Sequence, residues 1–519
     1  MKKKILKYIL ILVFILSLVL FFTSMYITKK FGNVPFEQIL YSVVFSKGAS
    51  GAVLKSALLY IVPRCILFFI LALIIQFLVT KCIIDKNRSI TVPLKFKKQH
   101  NIQLFNFSKT KKILYYIAIV IILLIVSLHK IGFFKYIYLR FQVTKIYENY
   151  YVDPRKVNIT FPEEKRNLIY IIVESQESTN ISSKNGGGVK KSYIPYEEKL
   201  ALNYTNFSNT DKLGGAMPIT GTSYTAASLV AQTSGTPINV SINIDAYHDI
   251  SKPYPGLYTL GEVLEKNGYS NYFLLGSDAD FGSREEYFVN HGNYKILDYK
   301  YAIENKWIKE DYNVWWGFED KKLFSFAKDE LKKISKNSEP FNFTILTADT
   351  HFIDGYLDPS CKNNKFDTQY KNVFNCNDKM ISDFISWVQK QDFYKNTTII
   401  ITGDHLTMQS DFYDGVLDDN YQRTVYNVII NSALTPDSNK TKNREFTVLD
   451  LYPTTIASLG AKISGNKLGL GTNLYSDEKT IIEKLGYNYV NGELGKRSNF
   501  YNNKILGNTY YDAAYGENW

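Results

Sequence analysis

Acidic residues are nearly absent from the first 150 positions. Glu37, Asp85 and Glu148 stand there against 22 Lys+Arg, so this part carries +19. The other 369 residues hold 39 Lys+Arg against 46 Asp+Glu, or −7, so the overall +12 belongs to one end of the chain. That imbalance removes net charge as an argument for nucleic-acid binding, which needs its basic residues on the folded, groove-facing part. Cysteine is scarce, at four residues. No internal repeat or low-complexity tract is present, which excludes a repeat array. At 519 residues the chain has room for two or three domains.

What the N-terminal part has instead is apolar length. A bilayer is crossed by about 20 residues rising about 1.5 Å each. Three stretches meet that length, over 5–27, 57–80 and 113–134. The second carries Pro63 and Arg64 near its start, where an arginine can snorkel to the interface. The first exceeds a typical leader's apolar core and has no small-x-small site before Lys29, so an anchor is expected rather than a cleaved leader. The Met1-Lys2-Lys3-Lys4 start and the Lys81–Lys112 loop, with nine basic residues against one acid, are expected in the cytoplasm by the positive-inside rule. Three spans then place everything after about residue 135 on the outer face of the membrane. Cys65 and Cys82 fall at or near the second span. Cys361 and Cys376 lie in the outer part, either paired, as an oxidising compartment allows, or as two free thiols.

The expected organisation is a membrane region at 1–135, a connector at 136–164 and a globular domain at 165–519. From Arg166 onward, short apolar runs alternate with helix-like stretches. Asn167–Val173, Asn271–Gly276, Phe343–Thr347 and Thr397–Thr402 are β-branched and continuously apolar, as buried parallel strands are. Leu257–Lys266, Lys321–Lys336 and Asp378–Gln391 read as helices. The fold class is therefore α/β, a mostly parallel sheet with helices on both faces. Ser182–Val189, with three successive glycines, reads as a flexible loop.

Open parallel sheets present ligands beyond the carboxyl ends of their strands. After the first run comes Glu174; after the second, Ser277, Asp278 and then Arg284; after the third, Asp349 and His351; after the fourth, Gly403, Asp404 and His405. Any one of these has an ordinary explanation as a loop residue, but four strand ends delivering such groups to one edge point to a site. Carboxylates with imidazole suit Zn²⁺ or Mn²⁺, with Mg²⁺ less suited. One divalent ion is expected, with room for a second. Thr225 lies where small polar residues lead into a helix-forming run, so its hydroxyl would sit at a helix N-terminus, where anions are stabilised. A metal there would make it a usable nucleophile. Alone, Thr225 reads as an ordinary helix-start threonine.

The segments IIVESQES (171–178), GTSYTAASLVAQTSGTP (221–237), TADTHFIDGYLDPSC (347–361), ITGDHLTM (401–408) and LGLGTNLYS (468–476) resemble phosphoglycerol transferases of the alkaline phosphatase superfamily, those of osmoregulated periplasmic glucan synthesis most closely. Lipoteichoic acid synthases and phosphoethanolamine transferases are more distant. The resemblance covers about residues 165–476 in order and implies an alkaline-phosphatase-like α/β/α sandwich. It implies that Glu174, Thr225, Asp404 and His405 hold the metal, with Thr225 the nucleophile. His351 would contact the phosphoryl group or move a proton. Arg284 falls near a head-group arginine, and Asp349 is expected beside substrate. The chain departs at Leu275, where the synthases place a histidine. Cys361 and Cys376 match a cysteine pair of the glucan-modifying enzymes, which implies a disulfide. The implied partners are an anionic or zwitterionic phospholipid donor, a glycan acceptor and the membrane.

The rival donor is phosphatidylethanolamine, with lipid A or a surface glycan as acceptor. A sulfatase-like hydrolase would need a Cys or Ser in Cys/Ser-x-Pro-x-Arg, whereas Thr225 is followed by Ala226-Ala227-Ser228-Leu229. A binding module without catalysis would not need nucleophile and ligands together. His248 and His291 could reach the site, and Trp315 and Trp316 could flank it; His100 and His129 read as structural or surface residues.

Overall fold

The computed structural model describes residues 2–32, 34–45, 51–79, 90–96, 98–105, 109–240, 251–361, 365–409, 411–437 and 440–507. The chain forms two compact units, Met1–Phe36 with Ser50–Lys135, and Glu37–Ala49 with Tyr136–Trp519.

The first unit contains helix α1 (Lys2–Phe31). Helix α2 (Phe36–Val44) lies almost wholly in the second unit. Helices α3 (Gly51–Val79) and α4 (Lys109–Lys130) return to the first. Within these helices, Tyr8–Phe31, Leu54–Leu78 and Ile113–Lys130 are long and apolar enough to cross a membrane. Phe14, Leu18, Phe22 and Val120 form a small core, and α3 turns Leu, Ile and Phe outward along its length. Such a surface suits hydrocarbon rather than water. The third stretch ends at Lys130, short of the expected residue 134, because Gly132 takes a left-handed φ of 73° and turns the chain. Arg64 stacks over Tyr60, 3.7 Å from the ring centroid. Between α3 and α4, β1 (Ile90–Phe96) and β2 (Lys98–Phe105) pair antiparallel. Cys82 lies outside the described residues.

The second unit is built on β3 (Asn167–Val173), β4 (Ser270–Leu275), β5 (Lys295–Leu297), β6 (Phe341–Leu346), β7 (Thr397–Gly403) and β8 (Asn427–Ile430), ordered β5-β4-β6-β3-β7-β8. Every pair is parallel except β7–β8. Strand β3 explains the layering. Leu168, Tyr170 and Ile172 enter one core and Ile169, Ile171 and Val173 the other. Each such buried apolar side chain contributes about 1.5–3 kcal/mol, so β3 has no face to give to solvent and must lie mid-sheet. Strands β5 and β8 were not expected from sequence.

Helices α5 (Thr225–Ser234), α6 (Leu260–Lys266), α7 (Arg284–Asn290), α8 (Asp320–Ile334) and α9 (Gln369–Val388) pack around this sheet or follow its strands. Helix α9 begins nine residues before its expected start. The 136–164 connector is part of the second unit: Tyr147 is fully buried, Tyr136 Oη donates to Val240 O at 2.9 Å, and Ile159–Thr160 pairs with Lys462–Ile463. The glycine loop after Ser182 is also not loose. Ser183 N donates to Val189 O at 2.7 Å, and a Cβ on Gly187 would meet Ile181 O at 1.8 Å, so packing demands the glycine.

Candidate functional site

Glu174, Asp404 and Thr225 arrive at one point because two neighbouring central strands and one helix end there. Glu174 follows β3, Asp404 and His405 follow β7, and Thr225 is the first residue of α5. Thr225 Oγ1 donates to Glu174 Oε2 at 3.1 Å and lies 3.4 Å from His405 Nε2. Glu174, Asp404 and His405 are buried, while Thr225 is half-exposed. The site therefore opens at the hydroxyl.

The hydrogen bonds of His405 set its chemistry. Its Nδ1 lies 2.9 Å from Leu406 O; a carbonyl can only accept, so Nδ1 carries the proton and Nε2 presents a lone pair. Asp404 Oδ1 accepts from Ser175 N and His405 N, both at 2.7 Å. Asp404 Oδ2 has no hydrogen-bond partner among the described residues, yet lies 3.2 Å from that Nε2. Two acceptors facing each other in a buried site need a proton or a cation between them. Ligand atoms of Glu174, Asp404 and His405 all lie within 4.8 Å of one another. Two carboxylates, an imidazole and a hydroxyl fit a borderline divalent ion.

The electrostatics agree. Burial and the Glu174 carboxylate push Asp404 up to about 7. Burial would also raise Glu174, but the His351 and His405 rings and the hydroxyls of Ser175 and Thr225 hold it below its ordinary value. Burial opposes the charged form of His405, and Asp404 and Glu174 outweigh it, so that ring is shifted up. Burial shifts His351 down and keeps it neutral. Its Nδ1 lies 2.7 Å from Phe352 O, which again leaves Nε2 as the lone-pair nitrogen. Trp316 packs against His351 at 4.7 Å, whereas Trp315 is more exposed and bonds Ala348 O through Nε1 at 3.1 Å.

Arg284 is buried, with Nε on Phe281 O at 2.8 Å and Nη2 on Ser277 Oγ and Asp278 O at 3.2 and 2.7 Å. Burial lowers it to about 10, against the pull of Asp278 and Glu174. Asp349, expected beside substrate, takes part in a hydrogen-bonded pair with Asp320. Its Oδ1 accepts from Asp320 N at 3.2 Å, and Asp320 accepts from Ala348 N and Asp349 N. The free N–H groups at the start of α8 claim the carboxylate. His291 is likewise engaged elsewhere, with Glu262 Oε2 at 3.1 Å and Pro253 O at 2.9 Å; His248 lies outside the described residues. A disulfide joins Cys361 to Cys376.

Sequence reasoning missed the supports. Ser175 bonds both Glu174 and Asp404. Ser228 Oγ donates to Asp404 O, and Gln232 Nε2 to Gly403 O at 2.9 Å. Glu177, paired with Arg423, accepts from Thr407 N at 2.9 Å and so fixes the loop after His405. The i, i+3, i+7 spacing of Thr225, Ser228 and Gln232 on one helix face was the available signal; Arg423 gave none.

Residues 166–461 match the sulfatase family. The chain is 30% identical over 269 residues to phosphoglycerol transferase I of Escherichia coli O6:K15:H31 (strain 536 / UPEC), covering 50% of this chain and 33% of that protein. It thus spans about a third of the length of the curated relatives it matches. Similar solved structures include the lipoteichoic acid synthase LtaP from Listeria monocytogenes (TM-score 0.47, 19% identity, 62% of this chain and 79% of that one). Another is the lipooligosaccharide phosphoethanolamine transferase A from Neisseria meningitidis (TM-score 0.49, 13% identity, 86% and 84%). With over half its length in the family match and the motifs gathered at one sheet edge, the chain belongs to the sulfatase family of the alkaline phosphatase superfamily.

Proposed function

We propose that this chain transfers a phosphoglycerol head group from a phosphatidylglycerol-type lipid to a glycan or polyol hydroxyl, through a phosphothreonine ester on Thr225. The observation that carries this is the Thr225 hydroxyl at a helix N-terminus, 3.1 Å from Glu174 and 3.4 Å from His405, beside an orphaned Asp404 oxygen.

Glu174, Asp404, His405 and Thr225 would hold the divalent ion, which when bound lowers the pKa of the hydroxyl and offsets phosphoryl charge. The bond from Thr225 Oγ1 to Glu174 Oε2 fixes the hydroxyl and leaves its two lone pairs, one for the ion and one for phosphorus. Attack forms the Oγ1–P bond and breaks the bond from phosphorus to the diacylglycerol oxygen. The threonine proton ends on that oxygen, carried by His351 Nε2, whose neutrality suits it to accept first and donate second. In the second half an acceptor hydroxyl attacks phosphorus, and its proton returns through the same nitrogen to Oγ1. Arg284 would bind the head group. The catalytic unit would lie outside a bacterial inner membrane, held near its donor by the apolar helices.

The test is mass spectrometry of metal-loaded protein exposed to phosphatidylglycerol or phosphatidylethanolamine. A glycerophosphate adduct on Thr225, absent in Thr225→Ala, is expected. A phosphoethanolamine adduct would reassign the donor. No adduct with either lipid would sink the mechanism.

A further inference from the structure

One segment of the catalytic unit comes from the N-terminal end of the chain, the stretch from Glu37 through helix α2 to Phe45. Gln38, Tyr41 and Phe45 are buried, while Ser42 and Val43 are exposed. The spacing of the buried three places them on one helical face. That face meets three segments that flank the centre. Gln38 Nε2 lies 3.1 Å from Met408 Sδ, three residues past His405. The Tyr41 ring lies 5.1 Å from that of Tyr224, the residue before Thr225. Tyr41 Oη donates to Gly282 O at 2.8 Å, two residues before Arg284.

The last contact falls on a strained turn. Gly282 and Ser283 are successive left-handed residues, with φ of 69° and 51°. A serine there persists only when its surroundings hold it. The turn sets the start of α7 and therefore the direction of Arg284. Tyr41, Ala226, Gly282, Arg284 and Tyr287 also line one cavity beside the first turn of α5.

We propose that Tyr41 is a positioning residue for donor binding: it clamps the Gly282–Ser283 turn so that Arg284 keeps its aim, and it braces Tyr224 beneath the nucleophile. This rests on the transfer reading above, in which Arg284 takes the head group. A tyrosine that only anchored its own helix would affect stability and leave donor affinity alone.

The test uses the full chain in lipid nanodiscs, with the donor that labels Thr225 in the unaltered protein. Tyr41→Phe keeps the ring and loses one hydrogen bond, so the donor KM should rise about fivefold with kcat little changed. Tyr41→Ala also removes the brace on Tyr224, so KM should rise about tenfold or more and kcat should fall. Val43→Ala, at a residue 69% exposed, should match the unaltered protein. An unchanged donor KM in both Tyr41 variants, with normal metal content and thermal unfolding, overturns the proposal and leaves the transfer reading intact. If Tyr41→Ala fails to fold, Tyr41→Phe decides alone. If the unaltered protein labels with neither lipid, the transfer reading and this inference both fall.

Discussion

Asp404 Oδ2 and His405 Nε2, two buried acceptors 3.2 Å apart, make a demand that a proton or a cation must meet. Asp404→Asn answers it without metal. Oδ1 is held by two backbone N–H groups, so the new amide nitrogen must take the Oδ2 position and donate to Nε2. The variant should therefore fold at least as well as the metal-free protein, bind divalent metal about tenfold or more weakly, and give no Thr225 adduct. Calorimetry, metal analysis and mass spectrometry of Thr225 check the three in turn. Glu174, Asp404 and His405 were legible because strand ends in a parallel sheet have one place to point. Asp349 was equally well placed by that rule, yet a loop aspartate serves a helix N-terminus as readily as a substrate, and nothing in its neighbours announces which.

Among the elements, the start of the helix Pro195–Asn203 carries a pH dependence. Asp378 accepts from Tyr196 N and Glu197 N at 3.0 and 2.7 Å, and Glu197 Oε1 is buried with no hydrogen-bond partner among the described residues. Burial and then Asp378 raise Glu197 well above its ordinary 4.5. Above 4.5 and up to the raised value, the folded form binds a proton that the unfolded chain has lost, so stability falls as pH rises. Glu197→Gln removes that slope. Its melting temperature should match the unaltered protein near pH 5 and exceed it near pH 8; equal values at both would refute the assignment. The disulfide gives a second expectation. Cys361 and Cys376, 15 residues apart, tie the end of the His351 loop to α9, and closing a loop of that size is worth about 3 kcal/mol. The Cys361→Ser, Cys376→Ser double variant should melt several degrees lower and keep its metal. Elements with long apolar runs could be read from sequence, as β3 and β7 were. Strand β8 escaped because Asn427–Ile430 is only four residues long. Helix α2 escaped because nine amphipathic residues between two apolar runs look like the fringe of either.

For the whole molecule, the segregation of charge and apolar length has a kinetic consequence under the proposed function. An enzyme held at a surface meets its donor at a concentration set by that surface rather than by the bulk. Diluting phosphatidylglycerol with phosphatidylcholine in nanodiscs, at constant total phosphatidylglycerol, should slow labelling of Thr225 in proportion to its mole fraction. A rate that follows bulk concentration instead would show that the membrane helices play no part in donor capture.

Tyr41 and Gly282 are 241 residues apart, and that separation orders the protein's birth. A ribosome adding roughly 5–20 residues per second finishes α2 some tens of seconds before the carbonyl that Tyr41 must meet exists. Through that interval the segment's apolar face has no native cover, and the unit can reach its final packing only when a late stretch of chain returns to an early one. Lesions that slow this return should leave a chain whose sheet is complete and whose centre is not, and a chaperone able to shelter a short amphipathic helix would serve this protein at one definable moment of synthesis.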